Sequence, residues 1–150
     1  MPDPVEQFPL GLAGVASVQV APELTARQLG SGAVAVFATP EMVRLMERAA
    51  VHALADHLAP GQQSVGVLVN VRHLAATPLG AVVTARAELI AIEGRRLTFR
   101  VSAHDGMEPI GEGLHERAII DLARFAAKAA AKRAAMAEGE KTGIPNMPVG

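Results

Sequence analysis

Between residues 64 and 120 the chain passes through four strand-like segments with only turns between them: 64–74, 81–92, 96–104 and 110–120. Thr77-Pro78-Leu79-Gly80 separates the first from the second, Glu93-Gly94 makes a short hairpin turn, and Asp105-Gly106 makes another. Successive hairpins pair antiparallel, so this half of the chain is expected to form a four-strand antiparallel meander. Its alternation is plain in RRLTFRVSA: Leu97, Phe99, Val101 and Ala103 face one way, and Arg96, Thr98, Arg100 and Ser102 the other.

A sheet with one apolar face needs a cover, and the sequence offers one long helix for it. Thr39-Pro40-Glu41 is a helix start: Thr suits the N-cap, Pro the first turn, and Glu the positive end of the dipole. The helix should run to about Leu58 and stop at Ala59-Pro60-Gly61. Before it, GVASVQV (14–20) and GAVAVFA (32–38) read as two strands. Residues 1–14 read as an irregular lead-in, 15–125 as one domain, and 126–150 as a helical and then disordered tail. The tail helix, ARFAAKAAAKRAAMAEGEK, has high helix propensity but presents mostly alanine. The expected fold is α+β, an antiparallel sheet wrapped around one long central helix, with a C-terminal Ala/Lys-rich helix. The sheet's uncovered edges make a homodimer the economical assembly.

Composition removes several functions. The 150 residues are 50% apolar and carry a formal net charge of −1, which gives no electrostatic reason to bind nucleic acid or an anionic membrane. There is no cysteine, hence no disulfide framework and no thiolate chemistry. The aromatic residues are four Phe, without Trp or Tyr, too few for a stacking platform. The N-terminal MPDPVEQFPLGL carries acid and proline rather than a basic region and a long apolar core, and no apolar run reaches membrane-spanning length. The chain reads as soluble and cytoplasmic. No HExxH, GxGxxG, P-loop or GxSxG pattern occurs, and His52 and His57, five apart, point to different sides of the helix, so neither a metal nor a cofactor is expected.

Three positions break the apolar patterning. With period two, Val65, Val67, Val69 and Val71 share a strand face, and the next member is His73. In the helix, Arg44, Arg48, His52 and Asp56 form a polar face, whereas Glu47 falls among Val43, Ala50, Val51 and Leu54. Glu47 reads either as a carboxylate reaching back to Arg44 or as a functional group. His73 is either a strand-end histidine bonded to backbone or a chemical group, and Thr39 is explained by capping alone. Taken together, a hydroxyl, a carboxylate and an imidazole could be drawn to one site if the helix packs on the valine face. A desolvated carboxylate near an imidazole is a usable base or nucleophile. Spacing leaves open whether they meet within one chain or across a dimer. Gly111-Glu112-Gly113 reads as a bulge or as a place where a ligand approaches.

FATPEMVRLMERAAVHAL, SVGVLVNVRHLAATPLG, EGRRLTFRVSAHDG and IGEGLHERAII, in that order, resemble the fluoroacetyl-CoA thioesterase family over roughly residues 30–125. The resemblance implies a hotdog fold, dimerised, and metal-free hydrolysis of an acyl-CoA thioester by a Thr, Glu and His set that falls on Thr39, Glu47 and His73. It implies that Gly66 and Arg117 line the substrate site. In the fluoroacetate-specific enzyme the segment before Phe-Ala-Thr supplies aromatic lid residues, whereas here LGSGAVAV (29–36) holds no ring. A lid of small side chains leaves space for a different short or medium acyl group. The alternative readings are a hotdog enoyl-CoA hydratase and a non-catalytic acyl-CoA-binding protein.

Overall fold

The central helix α3 (Thr39–Leu54) buries Met42, Leu45, Met46, Ala49, Ala50, Ala53 and Leu54, an i, i+3, i+4 series that makes one apolar stripe. A 3₁₀ turn, Ala55–His57, carries it to the expected stop. These positions come from a computed structural model that describes residues 3–141, with side chains described to residue 139. Five antiparallel strands curl around the helix: β1 (Ala13–Gln19), β2 (Gln62–His73), β3 (Val82–Glu93), β4 (Arg96–His104) and β5 (Pro109–Asp121). Their order in the sheet is β1-β3-β4-β5-β2. Val83, Ala85, Ala87 and Leu89 of β3, with Leu97, Phe99, Val101 and Ala103 of β4, face the helix and are buried, as the alternation in RRLTFRVSA requires.

Small residues set how near the layers come. A Cβ on Gly14 of β1 would collide with the backbone of Ala49 and Ala53, and one on Gly111 would run into Met42. Gly111 therefore admits a core side chain rather than a ligand. The helix lies chiefly over β1 and β3 and reaches β2 only at its margin.

Two expectations about the strands need correction. Strands β3, β4 and β5 form a meander, but β2 pairs with β5 instead of β3. It is an edge strand, because Thr77-Pro78-Leu79-Gly80 is part of a crossover rather than a tight hairpin. Residues 32–38 form no strand. They fold back on α2 (Ala26–Leu29), with Ala26 N–H donating to the Val36 carbonyl at 2.9 Å and Arg27 N–H to that of Val34 at 3.1 Å. Only single bridges form, Phe37 with Thr25 and Val36 with Pro78, and Pro78 has no N–H with which to extend a ladder. In the N-terminal lead-in one short helix, α1 (Pro4–Gln7), is capped by Asp3, and Phe8 is fully buried. The tail helix α4 begins at Leu122, directly after β5, and runs to Lys141; the expected disorder of GIPNMPVG falls on residues 143–150, outside the described residues.

The valine face is also interrupted. The β2–β5 register shifts between Gly66 and Leu68, so Val67 is the extra residue of a bulge. Gly66 pairs with Arg117 and Val69 with His115. Gly66, Val69, Val71 and His73 thus share the helix side, and Val65 turns away. Val67, Leu68 and Val69 are 42–50% exposed, an open apolar stretch on the edge strand.

Candidate active site

Thr39 does not cap its helix. Ala38 occupies the N-cap without a side-chain bond, and the Thr39 hydroxyl lies 2.7 Å from Nδ1 of His73. The backbone brings the pair together from both sides. Phe37 N–H donates to the Thr77 carbonyl at 2.9 Å, and Leu74 N–H donates to the Ile110 carbonyl at 2.7 Å. Burial pushes the His73 imidazole below its ordinary value of 6.5, with the backbone of Ala75 opposing. The ring is neutral at physiological pH, and its Nε2 is buried without a hydrogen-bond partner among the described residues. Such an atom costs stability unless something supplies a partner.

Glu47 stands in a second cluster. It does not reach Arg44, which instead pairs with Glu41 at 3.7 Å. Val43, Glu47 and Val51 lie on the flank of the buried stripe, so the carboxylate is not desolvated: its side chain is 41% exposed. Its Oε2 lies 3.6 Å from Nη1 of Arg117. Arg117 is itself buried, and the chain satisfies its guanidinium in detail: Nε donates to Ser64 Oγ at 2.8 Å and Nη2 to the Ser64 carbonyl at 3.1 Å. Burial pushes the Arg117 guanidinium down from its usual range and Glu47 pulls it back up; it stays charged. Gly66 lies against this group, since a Cβ there would stand 3.1 Å from Glu47 Oε2 and 3.4 Å from Arg117 Nη1.

The fold therefore joins Thr39 to His73, and Glu47 to Gly66 and Arg117, but holds the two clusters apart within one chain. Eight helical residues separate Thr39 from Glu47, about 12 Å along the axis. Seven strand residues separate Gly66 from His73, roughly 20 Å. Periodicity could not reveal this, because the bulge and the strand order are tertiary features. The sequence reading also missed His115, which is 1% exposed and inserted beside Arg117. The signal was present: Gly111, Gly113, His115 and Arg117 alternate onto one face of IGEGLHERAII.

A cleft of about 390 Å³ opens over the Thr39–His73 pair, within the range of small-ligand sites. Ala26, Ser31, Val36 and Phe37 form its lid side. Phe37 is 1% exposed and belongs to the core, so the exposed part of this rim carries no ring. Among the described residues no three His, Asp or Glu side chains gather as metal ligands, and no described helix is long and apolar enough to cross a membrane.

Residues 20–123 match the family described as FlK, fluoroacetyl-CoA-specific thioesterase. The chain belongs to that family. A fluoroacetyl-CoA thioesterase of Streptantibioticus cattleyicolor is 58% identical over 93 residues, spanning 62% of this chain and 67% of that protein. The crystal structure of the fluoroacetyl-CoA thioesterase FlK matches with a TM-score of 0.76 at 46% identity, covering 83% of this chain and 97% of that one. A thioesterase-superfamily protein of Thermus thermophilus matches with a TM-score of 0.82 at 32% identity, covering 87% and 97%. The α+β architecture is thus the hotdog fold, and the chain is a thioesterase, as the resemblance of its motifs implied.

Proposed function

We propose that this thioesterase hydrolyses the thioester of a short- or medium-chain acyl-CoA to the free acid and CoA, with Thr39, Glu47 and His73 as its reacting set and no metal or cofactor. The observation that carries this reading is the Thr39–His73 pair at 2.7 Å, beside a cleft, with Nε2 buried and unpartnered. Thr39 fixes the ring. The neutral His73 ring assists proton transfer to the departing CoA thiolate, the proton coming from the attacking water or the solvent, or stabilises its charge through a hydrogen bond from the ring N–H. The Glu47 carboxylate attacks the carbonyl carbon, forming an anhydride that water then opens, or it takes a proton from the water that attacks; both routes end in acid and thiol. Gly66 lets the substrate carbonyl come close to the strand, and Arg117 holds the carboxylate. The ring-free lid supports an acyl group larger than fluoroacetyl, which remains within the range to be assayed.

The working unit in this proposal is a homodimer in the cytoplasm. The exposed Val67, Leu68 and Val69 on an unpaired edge strand call for a second copy of β2. An antiparallel pairing centred on Asn70 sets Val69 against Val71 and, across the Val67 bulge, Gly66 of one subunit against His73 of the other. Each Thr39–His73 pair then meets the Glu47 cluster of the opposite chain on the same concave face. A chain without cysteine has nothing that needs an oxidising compartment.

The test is thiol release from a panel of acetyl-, fluoroacetyl-, branched, aromatic and longer acyl-CoA substrates. A cysteine-free protein adds no thiol of its own. Glu47→Gln and His73→Ala should each lower turnover by a factor on the order of 100 or more while remaining folded. Near-normal hydrolysis by both removes the assignment. Binding without thiol release favours the non-catalytic reading, and hydration of an enoyl-CoA without thiol release favours the hydratase.

A further inference from the structure

The buried imidazole of His115 has no part in the chemistry just described. Its Nδ1 lies 2.8 Å from the carbonyl oxygen of Leu68, and its Nε2 lies 3.2 Å from Nη1 of Arg117. These partners fix the proton. A carbonyl only accepts, so Nδ1 carries the hydrogen; a guanidinium only donates, so Nε2 is the bare acceptor. The ring is neutral and holds one tautomer. The Leu68 carbonyl belongs to the residue at which the β2–β5 register resumes after Val67, so the bulge and the histidine act as one unit. The same Nη1 that donates to His115 lies 3.6 Å from Glu47 Oε2.

We infer that His115 is a positioning residue of the thioesterase reaction: through its bare Nε2 it holds Nη1 of Arg117 in the orientation that aims the Glu47 carboxylate. The inference rests on the proposed role of Glu47. Ser64 secures the other edge of the guanidinium through Nε and Nη2, which leaves Nη1 as the nitrogen that faces both His115 and Glu47. Without the acceptor at 115, Nη1 has one buried direction left unsatisfied and turns fully on Glu47, drawing the carboxylate out of its attacking position. The groups facing the ring are Arg117 from its own strand, Glu47 from α3 and the Phe99 ring of β4, at a centroid distance of 6.5 Å. Phe99 supplies no substitute acceptor.

The experiment compares His115→Phe, which fills the space without accepting a hydrogen bond, with His115→Gln, whose amide oxygen can accept from Nη1. Thiol release is measured on the best acyl-CoA of the panel, with Glu47→Gln and Arg117→Met alongside. His115→Phe is expected to lower kcat about tenfold with KM changed less than threefold, and His115→Gln to recover at least half of the lost rate. In the Arg117→Met background, His115→Phe should change kcat less than about twofold, because the residue it acts through is gone. If the Phe variant fails to fold, His115→Asn, which keeps the bond to Leu68 but is too short for Arg117, carries the same expectation. Full activity of His115→Phe or His115→Asn beside an impaired Glu47→Gln overturns the positioning role alone, as does a loss that persists in the Arg117→Met background. Full activity of Glu47→Gln overturns the catalytic reading and this inference with it.

Discussion

The Thr39 hydroxyl and the His73 imidazole, 34 residues apart in the chain, share a 2.7 Å hydrogen bond at the start of α3, and this contact replaces the capping role that the sequence suggests for Thr39. The distinction is measurable. Loss of an N-cap Thr ordinarily costs about 0.5–2 kcal/mol. Here Thr39→Val should shift unfolding by less than about 0.5 kcal/mol, because Ala38 holds the cap position. The same substitution should reduce turnover on the order of tenfold or more, since His73 loses its orienting partner. Thermal unfolding and thiol release on the same preparation check both halves.

Gly66 is the point where the strand comes closest to Glu47. Its φ lies outside the left-handed region, so alanine meets no backbone strain there. The added Cβ would stand 3.1 Å from Glu47 Oε2, and that carboxylate sits at the end of a flexible, partly exposed side chain. Gly66→Ala should therefore fold with a loss below about 1 kcal/mol, yet reduce kcat about tenfold by displacing the carboxylate. Chemical denaturation paired with steady-state kinetics separates the two effects.

Gly14 shows the opposite balance. Its missing Cβ is matched by the backbone of Ala49 and Ala53, which cannot give way without moving α3 off β1. Gly14→Ala should destabilise the fold by about 2 kcal/mol or more while leaving KM of the surviving folded protein nearly unchanged. The denaturation midpoint and KM test this.

Two imidazoles make stability depend on pH. Burial is the largest cause holding both His73 and His115 below the ordinary 6.5. As pH falls through 6.5 the unfolded chain takes up protons that the folded chain does not yet bind, so unfolding becomes easier. Above about pH 7.5 the rings are neutral in both states and contribute no slope. The melting temperature should fall between about pH 7 and pH 5.5, with a smaller fall in His115→Gln. Turnover that needs neutral His73 should have its acid limb below 6.5.

Much of the fold was legible because its signals are local. The helix start at Thr39-Pro40, the stop at Pro60-Gly61, and the alternation of Leu97 to Ala103 depend on neighbours in the chain. What escaped depends on distant partners. The valines from Val65 to Val71 keep period two without interruption, and nothing nearby announces that pairing with β5 makes Val67 a bulge. Residues 32–38 alternate like a strand, but they make only single bridges, Phe37 with Thr25 and Val36 with Pro78. For the candidate site, Thr39, Glu47, His73, Gly66 and Arg117 were each visible as exceptions to apolar patterning or as motif matches. Their division into two clusters follows from where β2 sits at the sheet edge, which no spacing encodes.

The central claim is that two chains complete one site: Thr39 and His73 from one, Glu47 and its Arg117 neighbour from the other. Co-expressing Glu47→Gln and His73→Ala chains under different tags, and purifying the mixed dimer, tests it directly. In that dimer one site pairs an intact His73 with an intact Glu47 from the opposite chain, and the other site carries both lesions. The account predicts about half of wild-type thiol release per dimer, although each variant alone is nearly inactive. A mixed dimer no more active than the two single variants would contradict it and place the whole reacting set within one chain.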